Sequence, residues 1–470
     1  MVRAQEQPPD WRAVDTQPSA AVADVLERLL APRVAEATRL DASFGHRVAQ
    51  WLAATTRGGG RRLRSAFVWW GLRLSCPAPP PETVAVALTV GAAVELLQSC
   101  ALVQDDVMDN SPVRRGRPAL HVLLGSARPA GAEPGALGFG QSAAVLAGDL
   151  ALVWAEDTFA TAHPPPEIAA PARRLWSVLR AEMIAGQYLD LAGQADGSHS
   201  ATHALRTAVL KSGRYSVARP LELGAVLAAA PPDVCRGLRA AGGAAGLAFQ
   251  LRDDLLAVWG DAARTGKPTG EDIREGKPTL LAALGFSRAA ERPRGAALAV
   301  LRRGYGNPAA GPVELAAVRE VLEETGARRD VEAHIARLVR RAGAHVEALP
   351  GAPEARARLL ALVQLAAGTA VPADLPPAPA PAHPHPIRGE SGPGRASPAA
   401  PGGAHPASSS HPAGPSHPAA PARPDTEDPT SYARAAAPAH PAPHGHQPLR
   451  SAASTPPGTH PHPLPAEEPS

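Results

Sequence analysis

Apolar residues recur at helical spacing through most of the first 370 positions of the chain. The first such run begins after Ser19 and comprises Val22, Val25, Leu26, Leu29, Leu30 and Val34. Similar patterns predict helices at about 43–56, 62–74, 83–109, 140–162, 167–194, 202–229, 233–259, 278–288, 294–303, 312–325, 328–347 and 353–368. No stretch shows the alternation typical of a strand. The pattern predicts an all-α fold in which about a dozen helices share one core.

Proline divides the chain into segments. Residues 371–470 hold 27 of the 53 prolines and 10 of the 17 histidines. A segment so rich in proline sustains neither helix nor sheet, and this one has few apolar residues to bury. We therefore predict a flexible N-terminal arm at 1–17, one helical domain at 18–370 and a disordered Pro/Ala/His-rich tail at 371–470. The histidines of the tail permit metal binding, but a solvated linker is the simpler interpretation.

The remaining composition excludes several classes of protein. A formal net charge of +3 over 470 residues gives no reason to expect a nucleic-acid partner. Cys76, Cys100 and Cys235 stand far apart and match no disulfide or metal spacing, which favours a reducing, cytoplasmic location. No secretory signal is apparent, and the most apolar stretch, 83–103, carries Glu95 and Gln98 in its middle, so we expect no membrane span.

Acidic residues close the apolar helix predicted at 83–109. Asp105 and Asp109 are four residues apart and share one helical face, and Asp106 flanks them. Three carboxylates this close repel one another unless a cation binds them. Oxygen ligands without Cys or His select a hard ion such as Mg²⁺, which is commonly shared with phosphate. Arg114 and Arg115 follow closely, and their planar guanidinium groups suit phosphate oxygens.

A second acidic site closes the helix predicted at 233–259. Asp253 and Asp254 end its apolar run, and Asp261 would return to the same face if the helix continued that far. Basic groups follow at Lys267 and Lys277. Two acidic sites with Arg and Lys nearby predict a cage for a magnesium–polyphosphate cluster.

A Gly-rich basic segment, RGGGRRLR at 57–64, precedes both acidic sites. Glycines let the backbone approach a ligand, and Arg61, Arg62 and Arg64 are able to hold an anion. The segment is not a Walker loop, because GxxxxGK[ST] is absent. By itself it is equally typical of a surface loop.

Together with these sites, seven motifs in one order resemble the trans-isoprenyl diphosphate synthases, the polyprenyl synthetase family that includes farnesyl and geranylgeranyl diphosphate synthases. From about residue 20 to 370 the chain has GGGRRLR for the family's GGKRLRP, then ELLQ, DDVMD with RRGRP, GQYLD, KSGRYSVARPLELGA for its KT…PL…GA, FQLRDD and GKPTGEDIREGK. The resemblance implies a single large helical bundle of the isoprenoid synthase type. It implies a Mg²⁺-dependent prenyltransferase that condenses isopentenyl diphosphate with an allylic diphosphate, head to tail and trans, and releases diphosphate.

The resemblance also assigns roles to individual residues. It implies three Mg²⁺ ions, two held by Asp105, Asp106 and Asp109, and one by Asp253, the principal ligand, together with Asp254. It implies that Arg114 contacts the allylic diphosphate. The residues matching the isopentenyl diphosphate contacts are Arg115, Arg61, Arg64 and Gln98. The residues matching the lining of the ionising carbon are Lys211, Ser212 and Gln250. The residues matching the clamp on the leaving diphosphate are Lys267 and Lys277, and Gln187 with Asp190 matches the GQxxD helix.

Four positions depart from the family pattern. Arg61 replaces the usual Lys, and Ser212 replaces the commoner Thr but keeps a hydroxyl. Ala257 stands where a strict second DDxxD has its third Asp, which implies a modified third-metal site, aided by Asp261. Gln104 stands where His or Ala is commoner, and we have no interpretation of it.

The length of the product depends on the depth of the apolar pocket below Asp105. Cys100 and Ala101, five and four residues before it, are both small, whereas an aromatic side chain there would favour a farnesyl product. We therefore predict geranylgeranyl (C20) diphosphate or a longer product, which could bring the enzyme transiently to a membrane. The family implies a homodimer, and the helices expose more apolar surface than one bundle needs.

Two other functions are consistent with part of the pattern. A class I terpene cyclase shares the fold and the first acidic motif, but it needs no second anion site, and the NSE/DTE pattern is absent. A non-catalytic partner subunit tends to lose its acidic motifs, and here Ala257 is the only residue in its favour.

Overall fold

Helices form almost all of the structure, a computed structural model that describes residues 9–126, 138–261, 268–292 and 295–369. In its first half the α-helices are α1 Trp11–Thr16, α2 Pro18–Leu40, α3 Ala42–Phe44, α4 Gln50–Arg57, α5 Leu63–Ser75, α6 Pro81–Met108, α7 Leu120–Ser126, α8 Gly138–Ala160 and α9 Pro166–Ala195. In its second half they are α10 Ala201–Ala208, α11 Arg219–Leu227, α12 Pro232–Trp259, α13 Glu271–Glu275, α14 Leu280–Glu291, α15 Ala296–Gly304, α16 Pro312–Glu324, α17 Ala327–Glu347 and α18 Pro353–Ala366. Two π-helical segments, Gly45–Ala49 and Val209–Ala218, join α3 to α4 and α10 to α11. The predicted all-α fold is confirmed, and the predicted tail at 371–470 lies outside the described residues.

The long helix α6 lies at the centre of the bundle. Apolar residues cover its whole circumference, because α2, α5 and α8 pack around it. On the other side of the core, α12 packs against α17 and against the π-helical segment Val209–Ala218. Gly246 of α12 permits this second contact, since a Cβ there would lie 2.1 Å from the carbonyl oxygen of Gly213. The carboxyl ends of α6 and α12 carry the two acidic motifs.

Part of the predicted N-terminal arm is packed on the domain. Residues 11–16 form α1, and the side chain of Val14 is buried. The carboxylate of Asp15 accepts hydrogen bonds from the indole nitrogen of Trp69 (2.9 Å) and from Arg73, whose Nη2 lies 2.7 Å from Oδ2. Six residues form a stable helix only with such tertiary support, so the local apolar pattern was too short to predict it.

A small hairpin reverses the chain after α6. Its strands, β1 Val113–Arg114 and β2 Arg117–Pro118, pair antiparallel with Val113 opposite Pro118 and Arg114 opposite Arg117. Between them Arg115 has a φ of +56° and Gly116 a φ of +72°, both in the left-handed region that the tight turn requires. This hairpin, which strand periodicity did not predict, returns Arg114 toward α6.

Two helices of the described part, α6 and α8, are long and apolar enough to cross a membrane by length and composition. In α6 the most apolar stretch is 83% buried within the bundle, as expected of a core helix. In α8 only 44% of the most apolar stretch is buried, and several large apolar side chains of this helix are exposed.

Candidate active site

The first acidic motif lies at the carboxyl end of α6. Asp105 and Asp106 belong to its last turn, and Asp109 is the residue that caps it. Arg114 reaches back from the hairpin, donating through Nε to Asp106 (2.7 Å) and through Nη2 to Asp105 (3.0 Å). Burial lowers the pKa of Arg114, but these carboxylates outweigh that effect and raise it above its ordinary value. The hairpin therefore brings Arg114, but not Arg115, into contact with the first acidic motif.

Two lysines from distant parts of the chain join this motif. Lys211, in the π-helical segment, places Nζ 3.0 Å from Oδ1 of Asp105 and 2.7 Å from Oδ2 of Asp190. Lys277, just after α13, places Nζ 2.7 Å from Oδ1 of Asp109 and 3.4 Å from Oδ2 of Asp190. The buried carboxylate of Asp190 thus contacts both ammonium groups. Gln187, one turn earlier on α9, donates to Asp105 (3.3 Å).

These acidic neighbours hold both lysines in the charged form. Burial lowers the pKa of Lys211 and of Lys277, but the surrounding carboxylates outweigh it, and each pKa lies above its ordinary value. A charged ammonium group that is kept out of water is suited to hold phosphate oxygens.

The second acidic site lies at the carboxyl end of α12. Asp253 is exposed, whereas Asp254 is buried and accepts a hydrogen bond from Nε2 of Gln250 (2.8 Å). Burial, followed by the charges of Asp272, Asp253 and Asp190, raises the pKa of Asp254 well above its ordinary value. Asp190 therefore lies near both acidic motifs: it shares two lysines with the first, and its charge raises the pKa of Asp254 in the second. This is expected if the two motifs share one cavity.

The structure corrects one expectation at this site. The helix α12 ends at Trp259, and Gly260 caps it with an extended backbone, so Asp261 does not return to the helical face of Asp254. Asp272, in the first turn of α13, is the carboxylate that acts on Asp254 instead. The sequence analysis quoted Asp272 within GKPTGEDIREGK but gave it no role. Lys267, predicted to clamp the leaving diphosphate, lies outside the described residues.

Guanidinium groups gather beside the Gly-rich segment. Arg115 is exposed, and it lies among the like charges of Arg64, Arg114 and Arg62, with Glu95 as the opposing charge. Arg115 also donates to the carbonyl of Gly58 (3.4 Å). Such a concentration of positive charge favours a bound anion.

The arginines of this segment have different surroundings. Arg62 is buried, pairs with Glu95 at 3.8 Å and donates to the carbonyls of Thr56 and Arg57, so it supports the turn. Arg61 is exposed, and its carbonyl accepts a hydrogen bond from Ser19. Arg64 lies over the ring of Tyr215 with its Cζ 4.8 Å from the ring centroid, and it donates to Ser216.

Gln98 and Ser212 belong to different elements, α6 and the π-helical segment Val209–Ala218. The buried side chain of Gln98, on α6, accepts a hydrogen bond from the hydroxyl of Tyr215 (2.9 Å). Ser212 is half-buried in the π-helical segment directly after Lys211. Tyr215 was not singled out from the sequence, although it lies in the quoted motif KSGRYSVARPLELGA.

The two predicted chain-length residues differ in exposure. Ala101 is half-buried and lies one turn below Asp105 on the same helical face. Cys100 is 2% exposed, and burial together with the charge of Asp149 raises the pKa of its thiol to about 12. Ala101 is therefore the better placed of the two to contact a chain below the first acidic motif.

The donor set fits a hard divalent cation. All five predicted ligands are carboxylates, and Asp254 lies near the further carboxylates of Asp272 and Asp190, so a cation here would neutralise several negative charges. Within the described residues, no group of three or more His, Cys, Asp or Glu is arranged to hold a metal ion unaided. Mg²⁺ is usually held by one or two carboxylates together with waters and substrate phosphates.

Comparisons with known proteins show which enzymes the chain is similar to. A family model described as "Polyprenyl synthetase" matches residues 46–310. A (2E,6E)-farnesyl diphosphate synthase of Mycobacterium tuberculosis is 34% identical over 280 residues, which cover 60% of this chain and 71% of that protein. A geranylfarnesyl diphosphate synthase of Aeropyrum pernix is 31% identical over 50% of this chain and 69% of its own length. Among solved structures, the chain is similar to a geranylgeranyl pyrophosphate synthase from Corynebacterium glutamicum, complexed with isoprenyl diphosphate and magnesium. The two sequences are 36% identical and the TM-score is 0.70, and the match covers 75% of this chain and 98% of that protein.

Proposed function

Because the chain belongs to the polyprenyl synthetase family, and is therefore a Mg²⁺-dependent trans-prenyltransferase, we propose that it condenses isopentenyl diphosphate with an allylic diphosphate to give geranylgeranyl diphosphate or a longer product. The observation that carries this proposal is the convergence on Asp105. Arg114, Lys211 and Gln187 reach that carboxylate from three separate elements, and a guanidinium cluster lies beside it. Two cationic regions next to one acidic motif suit two diphosphates.

The allylic diphosphate would lie between the two acidic motifs. Asp105, Asp106 and Asp109 would hold two Mg²⁺ ions, and Asp253 with Asp254 a third, with Asp272 as a further carboxylate nearby. When bound, these ions supply charge stabilisation to the leaving diphosphate. Arg114, Lys211 and Lys277 are placed to bind the same phosphate oxygens, since each already contacts a carboxylate of the first motif.

The isopentenyl diphosphate would bind at the guanidinium cluster. Arg61, Arg64 and Arg115 would hold its phosphates, and Gln98 is fixed by Tyr215 at the edge of this region. Lys211, Ser212 and Gln250 would line the allylic carbon.

No side chain is needed as a dedicated base. As the allylic carbon–oxygen bond breaks, the double bond of isopentenyl diphosphate forms the new carbon–carbon bond and leaves a cation on the isopentenyl unit. The departed diphosphate, which Lys211 and Lys277 would hold, is itself able to accept the proton that the neighbouring carbon loses as a double bond re-forms. The remaining wall has to exclude water from the allylic cation. The apolar residues of α6 below Asp105 provide such a wall.

The product length is the finer part of the proposal. The relatives named above make farnesyl and geranylfarnesyl diphosphate, so membership of the family leaves the length open. The small side chains of Ala101 and Cys100 support a pocket that is deep enough for C20 or a longer chain. Leu97 and Leu96, both fully buried one turn further down, would set the limit.

We also propose a cytoplasmic homodimer. Val145, Leu146 and Val153 of α8 are exposed, as are Ile184 and Tyr188 of α9, whereas Trp154 of α8 and Leu179 of α9 are buried. A second copy of the chain would cover this apolar face. The three cysteines are free in the structure, which supports a reducing compartment.

A product assay tests the proposed function. The purified protein would be incubated with Mg²⁺, isopentenyl diphosphate and dimethylallyl, geranyl or farnesyl diphosphate in turn, and the products sized by chromatography. We expect linear products of C20 or longer and no turnover in EDTA or in Asp105→Ala. A cyclic hydrocarbon formed from the allylic diphosphate alone would instead identify a terpene cyclase, and absence of any product would contradict the proposal.

A further inference from the structure

The corner that presents Lys277 is held by a segment outside the seven motifs. Gly276 has a φ of +68° and ends α13, so the chain turns sharply just before Lys277. The Lys277 side chain is 8% exposed, and its Nζ reaches Asp109 and Asp190. Because the side chain is buried and paired at its far end, its position depends on where the backbone of this corner lies.

Tyr305 and Gly306 fix that backbone. The hydroxyl of Tyr305 donates to the carbonyl oxygen of Lys277 (2.7 Å), and the amide of Gly306 donates to the carbonyl oxygen of Ile273 (2.7 Å). The two glycines are in close approach, since a Cβ on Gly276 would lie 3.0 Å from the Cα of Gly306. A pair of hydrogen bonds therefore holds both ends of the turn that carries Lys277.

The ring of Tyr305 is itself fixed by aromatic packing. Its centroid lies 5.7 Å from that of Phe286 with the rings at 88°, and Phe286 stacks on His199 at 3.6 Å. Edge-to-face contacts of this kind stabilise the position of the ring. The hydroxyl oxygen of Tyr305 is thus kept within hydrogen-bond distance of the carbonyl oxygen of Lys277.

We propose that Tyr305 is a positioning residue for the diphosphate-leaving step, because it holds the Lys277 backbone so that the ammonium group faces the phosphate oxygens. This inference rests on the role proposed above for Lys277. A hydroxyl that acts only through Lys277 has a distinctive consequence: its removal has no effect once the lysine is gone.

A double-mutant cycle with Tyr305→Phe and Lys277→Gln tests this dependence. In Tyr305→Phe we expect kcat to fall about three- to ten-fold, the effect of one buried hydrogen bond, with KM for isopentenyl diphosphate unchanged. The affinity for inorganic diphosphate with Mg²⁺, measured by calorimetry, should fall by a similar factor. In the Lys277→Gln background, Tyr305→Phe should change neither value. An unchanged kcat in Tyr305→Phe, or an equal loss in both backgrounds, would overturn the proposal.

Thr158→Val is the matched control, because it removes a buried hydroxyl that donates to a main-chain carbonyl, that of Trp154 (2.7 Å), on α8 rather than at the Lys277 corner. We expect a lower melting temperature and a kcat within about two-fold of the unmodified enzyme. If Thr158→Val reproduced the kinetic loss of Tyr305→Phe, the effect would be one of stability and the proposal would fail. A wild-type chain that forms no product would contradict the proposed function instead, whereas the calorimetric comparison would still test the contact.

Discussion

Replacing Asp190 with asparagine separates the charge of its carboxylate from its size. This carboxylate is 6% exposed and contacts the ammonium groups of both Lys211 (2.7 Å) and Lys277 (3.4 Å). Asparagine keeps the shape and one acceptor oxygen but removes the negative charge. Both lysines keep a second carboxylate, at Asp105 and Asp109, so neither is left unpaired in the variant.

The expected size of the effect follows from these contacts. A hydrogen bond to a charged group contributes about 1.5–3 kcal/mol, which corresponds to about a ten- to hundred-fold change in rate if it is lost in the transition state. The Lys277 contact is long, so the Lys211 contact should dominate. The variant also makes the site more positive, which by itself would tighten the binding of diphosphate. We therefore expect kcat to fall by about ten-fold or more while KM for the allylic diphosphate does not rise.

Steady-state kinetics with each diphosphate varied in turn measures this split. Asp196→Asn, at the exposed carboxyl end of the same helix, is the matched control and should leave both constants unchanged. The reasoning would be refuted if Asp190→Asn had the kcat of the unmodified enzyme, or if its KM rose with kcat unchanged. Comparable melting temperatures of the two variants would show that the effect is not one of folding.

Three further predictions concern other parts of the molecule. Ala101→Phe should shorten the product toward farnesyl diphosphate, seen by sizing the products, and unchanged lengths in both Ala101→Phe and Cys100→Phe would refute the assigned pocket floor. Asp272→Asn should raise the Mg²⁺ concentration for half-maximal activity by about ten-fold, the size of effect expected when a carboxylate near a metal is lost; an unchanged Mg²⁺ dependence would exclude Asp272 from the second site. Burial raises the pKa of the Glu182 carboxyl group, but hydrogen bonds from Arg219 and Arg214 outweigh burial, so its pKa in the folded protein is lowered. The charged carboxylate therefore stabilises the fold at pH values above the pKa it has in the unfolded chain. This contribution is lost as the pH falls through the pKa of the folded state. In urea titrations at neutral pH, the free energy of unfolding of Glu182→Gln should therefore be about 1–3 kcal/mol lower than that of the unmodified protein, and the difference should be smaller below about pH 4. An equal difference at neutral and at acidic pH would contradict this assignment.

The helices and the acidic motifs could be predicted from the sequence because their signals are local. A helix such as α6 needs only a sustained apolar pattern, and Asp105 and Asp109 share a face whatever surrounds them. Where a helix ended was less predictable. Asp261 was expected on the face of Asp254, but α12 stops at Trp259, where the backbone of Gly260 becomes extended. Conversely, α1 forms within the predicted flexible arm because Asp15 binds Trp69 and Arg73.

The local sequence specifies which chemical groups are available: carboxylates at two helix ends, with arginines and lysines in the segments that follow. Which of these groups come into contact depends on how the helices pack. Lys211 reaches Asp105 across 106 positions and Lys277 reaches Asp109 across 168, and no local pattern encodes such a contact. Asp190, Asp272 and Tyr305 take their places in the site for the same reason. Side-chain spacing along one helix is set by backbone geometry, whereas pairing between helices is set by how the whole core packs.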